Sequence, residues 1–210
     1  MHTAFIRYIS PAIGLACLCV LSLGVDTVLA QSATQDSLAA QLRKGGLVLV
    51  MRHASSPREA PPKDQANKDN LKLERQLDEN GRRTATAMGT ALRELKIPIS
   101  AVFTSPTYRA METVRLARLD KPTPVDELGD GGQSMQGVTE AQAEWLRQKA
   151  AEVPKSGNIM LVTHQPNLTR AFPDWGSTVA DGETVVLRPD GKGKSAIVAR
   201  VPIERWPEER

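Results

Sequence analysis

The sequence predicts an α/β fold, a three-layer α/β/α sandwich around a mostly parallel central sheet. Three observations predict it. The runs Leu47-Val48-Leu49-Val50-Met51 and Asn158-Ile159-Met160-Leu161-Val162-Thr163 are short, apolar and rich in branched residues, as strands buried on both faces are. Segments of helical periodicity separate these runs from each other and from a third at Ile99 to Thr104. The chain then closes on Thr184 to Leu187 and Ala196 to Val201, which flank Pro189-Asp190-Gly191-Lys192-Gly193. That pattern reads as a hairpin or adjacent strands at a sheet edge. Nothing repeats at a fixed period, which argues against a solenoid.

Length and composition bound the rest. A chain of 210 residues suits one domain, and 4% aromatic residues imply an aliphatic core. The formal charge of +3 comes from interspersed charges of both signs. It points weakly to an anionic ligand and gives no support for a nucleic-acid partner. Residues 1–30 read as a signal peptide: Arg7 is an early positive charge, Ala12 to Leu23 is apolar, and Val28-Leu29-Ala30 fits a small-x-small cleavage site. Cleavage there starts the mature protein at Gln31 and places it in the periplasm or outside the cell. Pro11 and the short apolar run argue against a stable membrane span; a retained anchor is the other reading. Both cysteines, Cys17 and Cys19, lie in this leader. The mature chain then has no disulfide, thiol nucleophile or thiolate metal site.

In order, residues 31–45 read as a tail and a short helix, capped by Asp36 or Ser37 and ended by Lys44-Gly45-Gly46. Residues 46–210 read as one folded domain. The first strand stops at Arg52 and His53. Pro57 to Gln76 is polar, charged and broken by Pro57, Pro61 and Pro62, a surface excursion with a short helix around Leu71 to Leu73. Its length and its departure from His53 suggest a lid or a substrate loop. Asp78 caps a helix to Leu95, with Ala85, Met88, Leu92 and Leu95 at helical spacing. After the strand at Ile99 to Thr104, Ser105 as cap and Pro106 at the first helical position predict a helix that carries Arg109. Asp126 to Gly137 is a glycine-rich loop. Thr139 to Val153 reads as a helix with Ala143, Leu146 and Ala150 inward, and a helical segment at Asn167 to Phe172 follows the strand that ends in His164.

The chain has three histidines. His2 is in the leader, and the other two each end a buried strand. Open α/β sheets bind ligands at the carboxyl ends of their strands. Arg52, His53, Arg109 and His164 gather there. Two arginines can clamp a phosphoryl group, a neutral imidazole can attack phosphorus, and a second histidine can donate to a phosphoryl oxygen. A carboxylic acid must then protonate the leaving oxygen.

These residues resemble a family. Arg52-His53-Ala54 is similar to the Arg-His-Gly/Ala signature of the histidine phosphatase superfamily, with its phosphoglycerate mutase-like fold. Ser105-Pro106-x-x-Arg109-Ala110-x-x-Thr113 resembles its second arginine motif and Val162-Thr163-His164 its second histidine motif. Leu77-x-x-x-Gly81 fits the family pattern too, and Asp181-Gly182-Glu183 with the closing strands resembles small exported bacterial members. The resemblance runs from about Gly46 to Val201. It implies His53 as phosphorylated nucleophile, Arg52 and Arg109 as phosphate ligands, and His164 completing the pocket, with no cofactor and no metal. The chain departs from the family at Ala54-Ser55, where many members carry Gly then Glu. Ser55 is either a phosphate ligand or a turn residue. One branch places its general acid after the second arginine, where Glu127 and Asp126 lie. The other places it directly after the second histidine, where this chain has Gln165. Asn167 either lines the site or caps the next helix.

The leading expectation is an exported phosphatase acting on a small phosphorylated substrate. A binding protein that kept the pocket and lost turnover is the alternative. A zinc hydrolase using His53 and His164 would need a third ligand, which no Cys or His supplies, and adjacent arginines disfavour a cation. A phosphoglycerate mutase fits poorly with an export signal, since its substrates are cytosolic.

Overall fold

The structure is a computed structural model that describes residues 38–131 and 137–209. The expected signal peptide lies outside the described residues. Residues 38–44 are helical (α1). There follow β1 (Val48–Arg52), α2 (Glu79–Glu94), β2 (Ile99–Thr104), α3 (Tyr108–Leu116), β3 (Thr123–Pro124), α4 (Glu140–Ala150), β4 (Asn158–Thr163), α5 (Gln165–Ala171), β5 (Thr184–Pro189) and β6 (Ser195–Val201). The sheet runs β3-β2-β4-β1-β5-β6. β1 to β4 are mutually parallel; β5 and β6 join antiparallel beyond β1. The expected sandwich with a mostly parallel sheet is what forms.

β1 and β4 sit at the centre because they are apolar on both faces. Leu49 and Met51 of β1 and Met160 and Val162 of β4 join one core, with α1, α2 and α3. Val48, Val50, Ile159 and Leu161 face the other, with α4 and α5. Alternation along each strand sends successive side chains to opposite layers. Leu38, Ala39 and Leu42 of α1 are buried in the first core, so this helix packs as part of the domain rather than lying before it.

The helix ends follow local chemistry, with one exception. Asp78 caps α2 by accepting from the Gly81 amide, and Thr139 caps α4 in a reciprocal box with Gln142. Helix α3, expected to start with Ser105 as cap and Pro106 as its first residue, begins two residues later with Thr107 as its N-cap. The Ser105 hydroxyl accepts from the Thr107 amide at 3.2 Å, and Glu74 Oε2 takes the Tyr108 amide at 2.9 Å. The cap therefore arrives from a distant loop. The helix expected near Leu71 does not form: Leu73 adopts a φ of 52°, and the Asn70 side chain closes a turn on the Glu74 amide at 3.0 Å. Gly81 explains the spacing that follows Leu77. A Cβ there would stand 2.2 Å from the Ser55 carbonyl oxygen, so only glycine lets α2 pass the segment after His53.

At the opposite end of the sheet Asn158 ties three elements. It accepts from the Leu47 amide at 3.2 Å and donates to the carbonyls of Leu42 at 2.8 Å and Pro98 at 2.9 Å. These bonds fix β1, β2 and β4 in register, which aligns their carboxyl ends.

Candidate active site

The carboxyl ends of β1 and β4 are neighbours in the sheet, so His53 and His164 meet: their ring centroids lie 5.1 Å apart, edge to face. Both rings are buried. His53 Nδ1 lies 2.8 Å from the Ala54 carbonyl oxygen. A carbonyl only accepts, so Nδ1 carries the proton and Nε2 keeps its lone pair. Arg109 Nε donates to that Nε2 at 3.2 Å. Burial, opposed by the Ala54 bond and reinforced by Arg109, Arg52 and Arg75, lowers the His53 pKa from 6.5 to about 3. The ring is neutral through the physiological range.

Arg109 joins the two histidines. Its Nη2 donates to His164 Nδ1 at 3.0 Å and also pairs with Asp130 Oδ2. A guanidinium only donates, so Nε2 carries the His164 proton and gives it to Ser105 Oγ at 2.7 Å. Burial, then Arg109 and His53, push the His164 pKa well below its usual value. This histidine orients Arg109 and buttresses the start of α3.

Arg52 is held from three sides. Nη1 donates to Gln165 Oε1 at 2.6 Å and to the Val179 carbonyl at 3.0 Å, and Nη2 pairs with Asp181 at 2.6 Å. Its Nε is buried without a partner among the described residues. Gln165, at the place of an acid in one family branch, thus positions an arginine here. Burial raises the Asp181 pKa, against the pull of Arg52 and Arg75.

A cavity of about 730 Å³ opens at Arg109, lined also by Arg58, Lys72, Glu74, Arg75, Asp126 and Asp130 among others. Arg75 belongs to the long loop. Its Nε and Nη2 donate to the Pro57 and Ser56 carbonyls at 2.6 and 3.2 Å, which fixes the guanidinium at the cavity wall. Burial lowers its pKa, and Arg109 and Arg52 lower it further.

Two expected assignments change. Ser55 is not turned towards the arginines: its hydroxyl donates to Asp78 Oδ2 at 2.6 Å, bracing the cap of α2. Asn167 neither lines the cavity nor caps α5. It is buried and donates to the carbonyls of Glu127 at 3.2 Å and Gly129 at 2.8 Å, holding the segment before the glycine-rich loop. Of the two candidate acids, Asp126 lines the cavity and Glu127 is not among its lining residues.

The profile of the histidine phosphatase superfamily, branch 1, matches residues 48–130. The chain has the fold of that superfamily. The protein histidine phosphatase SixA complexed with tungstate superposes with a TM-score of 0.55 at 18% identity, over 75% of this chain and 97% of that one. The ecdysone phosphate phosphatase of Bombix mori, also with tungstate, gives 0.50 at 17% identity, over 73% and 92%. At such identities the likeness speaks for the fold. No curated protein matches the sequence.

Within this histidine phosphatase fold, Arg75, Asp130 and the Ser105 hydroxyl join the site without a signal in the local sequence. Arg75 sits in a loop crowded with charges, and no local pattern separates it from Arg58 or Lys72. Asp130 follows two other acids and a glycine. Ser105 reads as a helix cap, because its bond to His164 spans 59 positions.

Proposed function

We propose that the protein is an exported phosphatase that hydrolyses phosphomonoesters through a phosphohistidine on His53. The observation that carries this reading is the neutral His53 ring, whose Nδ1 is tied to the Ala54 carbonyl and whose Nε2 lone pair faces Arg109. A phosphoryl oxygen is a stronger, charged acceptor than a ring nitrogen. On entering, it takes over the Arg109 donors and frees Nε2 to attack phosphorus in line. The P–O bond to the alcohol breaks as the N–P bond forms, and water then attacks the phosphohistidine to release phosphate and restore the ring. Arg109, Arg75 and Arg52 supply positive charge as the transferring oxygens gain negative charge, so the protein's own side chains suffice and no metal or cofactor is assigned a step.

The leaving oxygen needs a proton. Three carboxylates line the cavity. Glu74 is engaged by the Tyr108 amide and Asp130 by Arg109. Asp126 is exposed, and its carboxylate makes no hydrogen bond or ion pair among the described residues, so we assign it the proton transfer in preference to Glu127. Export rests on the leader sequence, and a mature amino terminus at Gln31 would support it. Full-length protein recovered from membranes with Met1 intact would remove it.

Steady-state hydrolysis by the purified protein tests the activity. Turnover of p-nitrophenyl phosphate that persists in EDTA is expected. Asp126→Asn should slow alkyl phosphates at least tenfold and spare p-nitrophenyl phosphate, whose leaving group needs little protonation. Glu127→Gln should change neither. Phosphate binding without any turnover would favour the alternative, a phosphoryl-ligand-binding protein.

A further inference from the structure

The cavity lined by Arg109, which donates to His53, is larger than a phosphoryl group requires. Its volume of about 730 Å³ falls within the range of sites that enclose whole small molecules. Its outer wall comes from the loop between β1 and α2, which contributes Arg58 and Lys72 from separate stretches of chain. Both side chains are exposed, and neither meets a carboxylate or any other hydrogen-bond partner among the described residues. The cations of α4 behave differently: Arg147 pairs with Glu140 and Glu144, and Lys149 pairs with Glu152. Of the carboxylates facing the same cavity, Asp130 is matched to Arg109 and Glu74 to the Tyr108 amide, which leaves Asp126 alone against Arg58 and Lys72. The outer wall therefore presents unmatched positive charge beyond what the reacting phosphoryl group would engage at Arg109 and Arg75.

We infer that Arg58 and Lys72 form a subsite for a second anionic group, so that the substrate is a phosphomonoester that also bears a carboxylate or another phosphate. This inference rests on the phosphatase reading above. Two exposed cations favour such a group without needing fixed geometry, and they also draw a doubly charged substrate into the cavity. The preference should weaken as salt is raised, because exposed charges are screened.

The test uses phosphate monoesters of ω-hydroxy carboxylic acids of increasing chain length, each beside its matched ω-hydroxy amide. At the best length, the acid should exceed the amide about tenfold in kcat/KM, the scale of two exposed ion pairs. In the double variant Arg58→Ala, Lys72→Ala the ratio should fall to about one, while p-nitrophenyl phosphate is turned over as in the parent. Equal rates for acid and amide at every length, or a preference that survives the double variant, would overturn the subsite and leave the phosphatase reading intact. Failure of the parent protein to turn over p-nitrophenyl phosphate would overturn both.

Discussion

The outer wall of the cavity and the buried inner wall behind it, which reaches the cavity through Arg109, differ in how they are built. The inner wall stands on the sheet. His53 and His164 end paired strands, and Arg109 bridges them from the first turn of α3. All three side chains are buried. The outer wall is a loop, and its cations Arg58 and Lys72 are exposed. In the proposed reaction, chemistry that depends on the placement of a lone pair falls to the rigid part. The proposed recognition by charge, which tolerates looser geometry, falls to the part that a few hydrogen bonds hold in place.

The sharpest way to break the contrast is Arg109→Ala. That change removes the donor shared by the two rings and the guanidinium paired with Asp130. Turnover of p-nitrophenyl phosphate should fall by about a thousandfold, the scale for losing a charged stabiliser of the transition state. Arg109→Lys should not rescue it, because one ammonium cannot span both histidines. A loss under tenfold would mean that the inner wall is not the reacting centre.

Acid should loosen the inner wall before it touches the outer one. The folded-state pKa of His53 is lowered from 6.5 to about 3, and that of His164 is lowered as well. Between those values the unfolded chain binds protons that the folded chain refuses, so stability rises with pH there. Stability should be level above about pH 6.5 and decline as pH falls below it, by about 1.4 kcal/mol per pH unit for each ring. Urea unfolding at pH 7.5, 6 and 5 measures this. His53→Gln and His164→Gln should each flatten the slope, whereas Arg58→Ala should leave it unchanged.

The smallest effect is expected at the seam between the walls. Tyr108 Oη donates to Asp69 at 2.5 Å and accepts from Asn67 at 3.0 Å, fastening the loop to α3. Tyr108→Phe loses those bonds, at a cost of about 1 kcal/mol. KM should rise a few-fold with kcat steady, since the loop shapes binding and not attack. A fall in kcat alone would place the loop within the chemistry.

The same contrast explains what the sequence discloses. A buried strand is a continuous apolar run, and its end is where the run stops, so Arg52, His53 and His164 could be placed by eye. Arg109 followed from a motif with a strand before it and a helix after it. The rest depends on contacts between residues far apart in the chain. Glu74 caps a helix that starts 34 positions later, and Arg75 reaches the cavity because two loop carbonyls hold it there. Ser55 illustrates the converse. A hydroxyl near the nucleophile suggested a phosphate ligand, but folding brings Asp78 to within 2.6 Å, and the nearer carboxylate takes the proton donor. Local pattern records propensity; it does not record which of several polar neighbours will be closest after packing.

In the proposed mechanism the phosphoryl group passes through His53 Nε2. Mixing the protein with a radiolabelled phosphomonoester and quenching within milliseconds tests it most directly. Label is expected on the peptide that contains His53, stable in alkali and lost in acid, in an amount that His53→Ala abolishes together with turnover. Label on a serine or a carboxylate, or full turnover by a folded His53→Ala variant, would contradict it.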